Sequence, residues 1–174
     1  MINFIPVAFT GEEDTCPVCI ARVKLEASLQ STAEALNKLG VSCFSVSLSG
    51  ETAAAMMQLL GNWQGLLADY RVAFSLNLAI WFSAERHGRV KKVPDLLLAY
   101  DEYRSRLLNE LAAYKAAHGQ LLASMSKEPA KESVQTALEA FSRLHDELTV
   151  CFDGFFAEVD KWTDKRREDA FSVL

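Results

Sequence analysis

The residues from Thr52 to Ala84 form a stretch of more than thirty positions with only two charges, Asp69 and Arg71. Apolar side chains occur at nearly every angle around a helical wheel drawn over this stretch. A helix that is apolar on all sides is normally covered on most of them. We therefore expect one long helix here, with other elements packed around it.

The length of 174 residues predicts a single domain, residues 1–174, that can bury a core of its own. A net charge of −5 argues against the basic surface that non-specific nucleic-acid binding or an anionic membrane requires. The first 14 residues carry no positive charge, and Pro6 breaks their short apolar run, so no secretory signal is expected. We predict a soluble cytoplasmic protein with no nucleic-acid or membrane partner. Its four cysteines are then expected to be reduced thiols or metal ligands.

Residues 1–49 are expected to form an arm, a helix and a short strand. Ile2–Phe9 mixes β-branched and aromatic residues around a proline, which predicts an edge strand or an extended arm. Pro17 suits the first turn of a helix, and Gly40 is the predicted end of that helix. Between Phe44 and Leu48, apolar residues alternate with serines, which predicts a strand with one buried face.

Residues 50–174 are expected to form a bundle of three long helices. Ser49 is the predicted N-cap of the first, Pro94 begins the second, and a polar turn around Pro129 precedes the third. The last helix has a regular 4-3-4-3 apolar seam, which is typical of packing against a partner helix. Its members are Val134, Leu138, Phe141, His145, Leu148, Phe152, Phe155, Val159 and Trp162. The predicted fold is mainly α: an elongated antiparallel bundle in which the last helix packs on the preceding one, plus a minor N-terminal extended or β portion.

One chemical motif is present, Cys16-Pro-Val-Cys19. Two thiols at this spacing in the first turn of a helix lie on one face, where the helix N-terminus stabilises a thiolate. This is the basis of dithiol redox chemistry, and the same spacing also provides half of a zinc site. Cys43 is a poor third ligand, because the predicted strand would place it at the end opposite the motif. A third interpretation is that Cys19 packs inward as a small apolar residue.

Residues 2–48 resemble the opening β-α-β unit of the thioredoxin and glutaredoxin superfamily. Val93-Pro94, followed by an apolar run, is similar to the cis-proline segment of that superfamily. The resemblance implies a thiol–disulfide oxidoreductase in which Cys16 is the nucleophilic cysteine and Cys19 the resolving one. It is the alternative to the helical bundle.

Two histidines, His118 and His145, fall on apolar seams and are expected to be buried and hydrogen-bonded. A turn near residue 128 would place His145 opposite residue 111, so the two histidines are not expected to form a pair. A basic segment precedes the second bundle helix and could hold an anion at that helix N-terminus, although a solvated loop is the favoured interpretation. Its residues are Arg86, Arg89, Lys91 and Lys92.

No catalytic signature is recognisable, and the helices are long and amphipathic. We therefore expect a non-enzymatic adaptor or regulatory protein that binds a protein partner, or a second copy of itself, through an apolar helix face. Aromatic side chains dominate such contacts. The candidates are Trp63, Tyr70, Trp81, Tyr100, Tyr103, Phe155 and Trp162. The first alternative is a thiol redox protein acting through Cys16 and Cys19, and the second is a structural zinc protein with the same two ligands.

Overall fold

The computed structural model describes residues 16–46, 48–85, 93–127 and 131–171, which form four α-helices and no strand. At about 1.5 Å per residue the helices are roughly 40 to 60 Å long. The mainly α class is confirmed. The four elements are α1 (Pro17–Phe44), α2 (Gly50–Glu85), α3 (Val93–Met125) and α4 (Glu132–Phe171).

The first helix begins as the sequence predicts but ends later. Cys16 is its N-cap, with Pro17 at the first helical position, and α1 continues to Phe44. Gly40 does not end the helix. It is buried, and a Cβ atom there would lie 3.5 Å from the terminal methyl carbon of Met56 in α2. That is an ordinary van der Waals distance, so packing against α2 does not require a glycine at this position.

The predicted strand from Phe44 to Leu48 is wrong. Phe44 is the last residue of α1 and is 72% exposed, and the Ser45 N–H continues the helical pattern by donating to the Val41 carbonyl. Five alternating residues are too few to distinguish a strand from a helix end followed by a turn. The resemblance to the thioredoxin superfamily fails at this point, because its second strand is absent from the described residues. The predicted arm, Ile2–Phe9, lies outside those residues.

The long apolar stretch is one uninterrupted helix, as predicted. Its N-terminus is capped by Ser49, whose hydroxyl oxygen accepts a hydrogen bond from the Thr52 N–H at 3.2 Å. The prediction that α2 is shielded on most sides holds only in part, because one face is open to solvent: Met57 is 59% exposed and Val72 is 37% exposed. The outward face of α2 consists largely of alanine, glutamine, glycine and serine. These side chains are too small or too weakly polar to mark an exposed face in the sequence.

The core is built from one stripe on each helix, spaced alternately by three and four residues. The predicted α4 seam is confirmed, with only Leu138 and Trp162 half-buried. In α1 the stripe comprises Leu25, Leu29, Thr32, Leu36, Leu39 and Cys43. In α2 it comprises Thr52, Met56, Leu59, Trp63, Leu66, Tyr70, Ala73, Asn77 and Ile80. The four stripes meet inside an antiparallel four-helix bundle, so α1 is a full member of the bundle.

The closest helix pairs differ from those that the sequence predicts. The tightest packing is of α2 on α3 and of α1 on α4, whereas α3 and α4 approach each other less closely. The antiparallel arrangement is visible in cross-helix contacts such as Glu51 with Lys127 and Asp69 with Arg106.

None of the helices, over their described residues, combines the length and hydropathy needed to cross a membrane.

Candidate functional site: a lateral groove and a buried histidine pair

A groove of about 460 Å³ runs along the outer side of the bundle between α1 and α4. We call it the lateral groove. Each wall extends over about two helical turns, roughly 10–12 Å. Its residues are Pro17, Ile20, Ala21 and Lys24 from α1, and Val150, Cys151, Gly154, Phe155 and Glu158 from α4.

The depth of the lateral groove depends on Gly154, in the middle of the 40-residue α4. A Cβ atom built at Gly154 would have no neighbour within 4 Å, so the space above it is open. Ile20 and Val150 stand on either side and are 39% and 69% exposed. Exposed apolar side chains grouped around a depression are typical of interaction sites. A glycine inside a helix costs about 1 kcal/mol relative to alanine, and no packing contact with the described residues offsets that cost here.

The two cysteines of the motif lie next to one end of this groove. Cys16 precedes Pro17, and its sulfur accepts a hydrogen bond from the Cys19 N–H at 3.5 Å. The four cysteines form no disulfide. Cys43 is buried near the opposite end of α1. In the described part of the chain, no group of three or more His, Cys, Asp or Glu side chains could hold a metal ion. Zinc binding thus stays a hypothesis from the sequence.

Most of the aromatic candidates for a binding face lie inside the bundle. Trp63, Tyr70, Tyr100 and Phe155 are between 1% and 8% exposed. They fill the core, with the Tyr70 ring 5.9 Å from that of Phe155. The other candidates are Tyr103 and Trp162, which are half-buried, and Trp81, whose side chain lies outside the described residues. Of the six whose side chains the structure describes, Phe155 alone lines the lateral groove.

The basic segment with Arg86, Arg89, Lys91 and Lys92 also lies outside the described residues. The predicted anion site therefore remains a hypothesis. The charged network that the structure does describe joins α3 to α4, where Arg104 binds Asp160 through two hydrogen bonds of 2.8 and 2.5 Å. Arg167 of α4 pairs with Asp101 of α3 in the same region. These pairs fasten the C-terminal part of α4 to the N-terminal part of α3.

His118 of α3 and His145 of α4 form a stacked pair inside the bundle, contrary to the prediction. Their ring centroids are 3.9 Å apart with an interplanar angle of 29°, and the residues are 7% and 6% exposed. The prediction failed because it assumed a pairing centred on residue 128, whereas residues 118 and 145 lie opposite each other about a point between residues 131 and 132. The facing ends of the helices, Met125 and Glu132, have their midpoint close to residue 128 and therefore do not fix this register. We call His118 and His145 the histidine pair.

The histidine pair has an unusual set of polar neighbours for a buried site. Nε2 of His118 lies 3.1 Å from the Ser142 hydroxyl. Nδ1 of His145 and the hydroxyl of Tyr114 are buried with no hydrogen-bond partner in the described residues. Burial is the main cause that lowers the pKa of both histidines, to about 4 for His145. Both rings are therefore neutral at pH 7, and unpaired polar atoms of this kind are uncommon in protein cores.

Neither site was found from the sequence. Gly154 offered one signal for the lateral groove, since a glycine amid a strong helical pattern often marks a close approach or an open space. The register of the histidine pair depends on how far α3 and α4 are shifted along each other, which the position of the turn does not determine. The chain matches no protein-family model, and no curated protein or solved structure is significantly similar to it.

Proposed function

We propose that this protein is a non-enzymatic adaptor or regulatory protein that binds an amphipathic helix of a protein partner in the lateral groove. The observation that supports the proposal is the open space above Gly154, flanked by the exposed side chains of Ile20 and Val150. A groove between two antiparallel helices accepts a further helix lying along it. The cytoplasm is the expected location, and the core aromatics named above would act by supporting the groove rather than by contact.

The shape and charge of the groove define the partner helix. Its length of about two turns matches two or three apolar side chains spaced three or four residues apart. Lys24 lies on one wall of the groove, about two turns from its Pro17 end. Glu158 lies on the α4 wall and is paired with Lys161 at 3.0 Å on the surface. We therefore expect an acidic residue of the partner helix near Lys24 and a basic one near Glu158.

Site-specific photo-crosslinking in the native host tests the proposal. A photoreactive amino acid replaces Val150 at the groove in one variant and Leu98 of α3 in a second, control variant. The two side chains are both 69% exposed, so they differ in location but not in accessibility. We expect one protein to be crosslinked from position 150 and not from position 98, through a segment with the apolar spacing described above.

Three results would overturn this function. The first is equal crosslinking from both positions, and the second is no crosslink from either. The third is a crosslink from position 150 to a second copy of this chain, because the groove would then be a self-association surface. Sedimentation velocity of the purified protein gives an independent check on the third result.

A second candidate is a thiol–disulfide redox protein acting through Cys16 and Cys19. The observation that favours it is the hydrogen bond from the Cys19 N–H to the Cys16 sulfur at the N-terminus of α1. In such a reaction the two thiols become a disulfide, while a substrate disulfide gains two electrons and two protons. Mass spectrometry after treatment with oxidised glutathione tests it. The redox function predicts a Cys16–Cys19 disulfide, whereas the adaptor function predicts no faster reaction there than at half-buried Cys151.

A further inference from the structure

The histidine pair lies where α3 and α4 face each other, and we call this contact the α3–α4 seam. Two sets of polar contacts join the helices along it. The first is the Arg104–Asp160 ion pair with its neighbours, and the second is His118 with Ser142 and His145. The seam is packed less closely than the α2–α3 and α1–α4 contacts. It therefore depends on polar groups more than the α2–α3 and α1–α4 contacts do.

The geometry of the pair disfavours a proton on His145. A protonated imidazole donates from both ring nitrogens. Nδ1 of His145 is buried without a hydrogen-bond partner among the described residues, so a proton there would create an unsatisfied donor beside the charge. The second imidazole, stacked at 3.9 Å, would add repulsion if it also became charged.

The groups around the pair offer little compensation. On α3 and α4 the charged neighbours are Lys115, which opposes protonation of His145, and Asp146, which favours it. Both lie on the surface of the bundle. From α1, Thr32 donates to the Leu144 carbonyl, and from α2, Trp63 packs on Tyr114. Neither of these side chains titrates, and no charged side chain of α1 or α2 in the described residues acts on either ring.

We propose that the histidine pair is a proton-sensitive switch that keeps the α3–α4 seam closed while both rings are neutral and opens it locally when a proton is taken up. Opening would expose the apolar faces of α3 and α4 to solvent and give each imidazole water as a hydrogen-bond partner. This inference does not rest on the proposed function, because the seam and the lateral groove lie on different sides of α4.

The pH range of the switch follows from proton linkage. Burial first, and then His118, lowers the pKa of His145 to about 4, whereas an exposed histidine titrates near 6.5. Between pH 6.5 and pH 4 the open state binds more protons than the closed state. The stability of the closed state relative to the open state therefore falls as the pH decreases from about 6.5 to 4. For His145 alone, the ratio of open to closed molecules should rise about 20-fold between pH 7 and pH 5.

Hydrogen–deuterium exchange of the full chain, corrected for the intrinsic effect of pH on exchange, measures this ratio. We expect exchange at the central amides of α3 and α4 to increase about 20-fold between pH 7 and pH 5 in the wild type. The His145→Gln variant, which keeps a neutral polar side chain of similar size, should change less than the wild type, because only His118 then contributes to the switch. His87 is the third histidine of the chain, and His87→Gln should behave as the wild type.

Two results would overturn the proposal. One is a wild-type change below about threefold, and the other is a His145→Gln variant that responds as strongly as the wild type. Should His145→Gln fail to fold, the ring resonances of the wild type give the answer without a variant. Resonances of His118 and His145 that titrate near 6.5 in the folded protein would also refute the switch.

Discussion

At the scale of single residues, the core of this bundle tolerates polar groups that have no hydrogen-bond partner among the described residues. Tyr114 is fully buried, and its hydroxyl makes no hydrogen bond within the described residues. Burial raises the pKa of this hydroxyl, so it is neutral at physiological pH. An unsatisfied buried polar group typically costs 1–3 kcal/mol. The sequence alone could not reveal whether this hydroxyl finds an acceptor, because that depends on the neighbouring helices.

Replacing Tyr114 by phenylalanine should increase the free energy of unfolding by about 1 kcal/mol, since the ring stays in place and the unpaired hydroxyl is removed. Urea denaturation at pH 7 measures the change. Tyr103→Phe is the matched control, because Tyr103 is half-buried on the same helix and should change by less than about 0.5 kcal/mol. A clear loss of stability in Tyr114→Phe would mean that the hydroxyl has a partner, for example an internal water.

Phe155 connects the core to the lateral groove, and its removal should be costly. The residue is 3% exposed, with its ring 5.9 Å from that of Tyr70. Phe155→Ala should lower the free energy of unfolding by about 3–5 kcal/mol through lost burial and a new cavity. Phe155→Asp should prevent folding, because it buries a charge. Thermal unfolding followed by circular dichroism tests both changes, and a Phe155→Asp protein with wild-type stability would refute the core position of this residue.

At the scale of helices, the sequence predicted what local patterns determine. The helical nature of α2, α3 and α4, the cap at Ser49 and the α4 seam all follow from periodicity and capping. The end of α1 did not, because Gly40 lies inside the helix, which continues to Phe44. The predicted register of α3 against α4 was wrong because the midpoint of the turn does not determine how far the two helices are shifted along each other. The contacts between helices therefore could not be predicted from one sequence.

The two glycines of α2, Gly61 and Gly65, should respond differently to substitution. A Cβ atom at Gly61 would have no neighbour within 4 Å, so Gly61→Ala should stabilise the protein by about 0.5–1 kcal/mol through helix propensity. At Gly65 the new atom would lie 2.7 Å from a carboxylate oxygen of Glu110, which has to move. We expect Gly65→Ala to gain less than Gly61→Ala. Urea midpoints compare the two, and a larger gain at Gly65 would contradict the α2–α3 register.

At the scale of the whole molecule, the order of helix pairing creates both candidate sites. Close packing of α1 on α4 forms the lateral groove on the outer side of those helices, and the looser α3–α4 seam contains the histidine pair. The sequence predicted an antiparallel bundle but not which helices lie closest, because all four have apolar stripes of similar spacing. The aromatic residues singled out from the sequence mostly fill the core. Choosing candidate binding residues by residue type alone therefore did not identify the lateral groove.

The affinity of a partner helix identified by crosslinking tests the central claim most directly. Gly154→Leu would fill the lateral groove, and Gly119→Leu would add the same side chain to α3. A Cβ atom meets no neighbour within 4 Å at either position, so both variants should fold with unchanged or slightly higher stability. Calorimetric titration should give at least about tenfold weaker binding for Gly154→Leu and a change within about twofold for Gly119→Leu. Equal affinities for the two variants would contradict the assignment of the groove as the binding site.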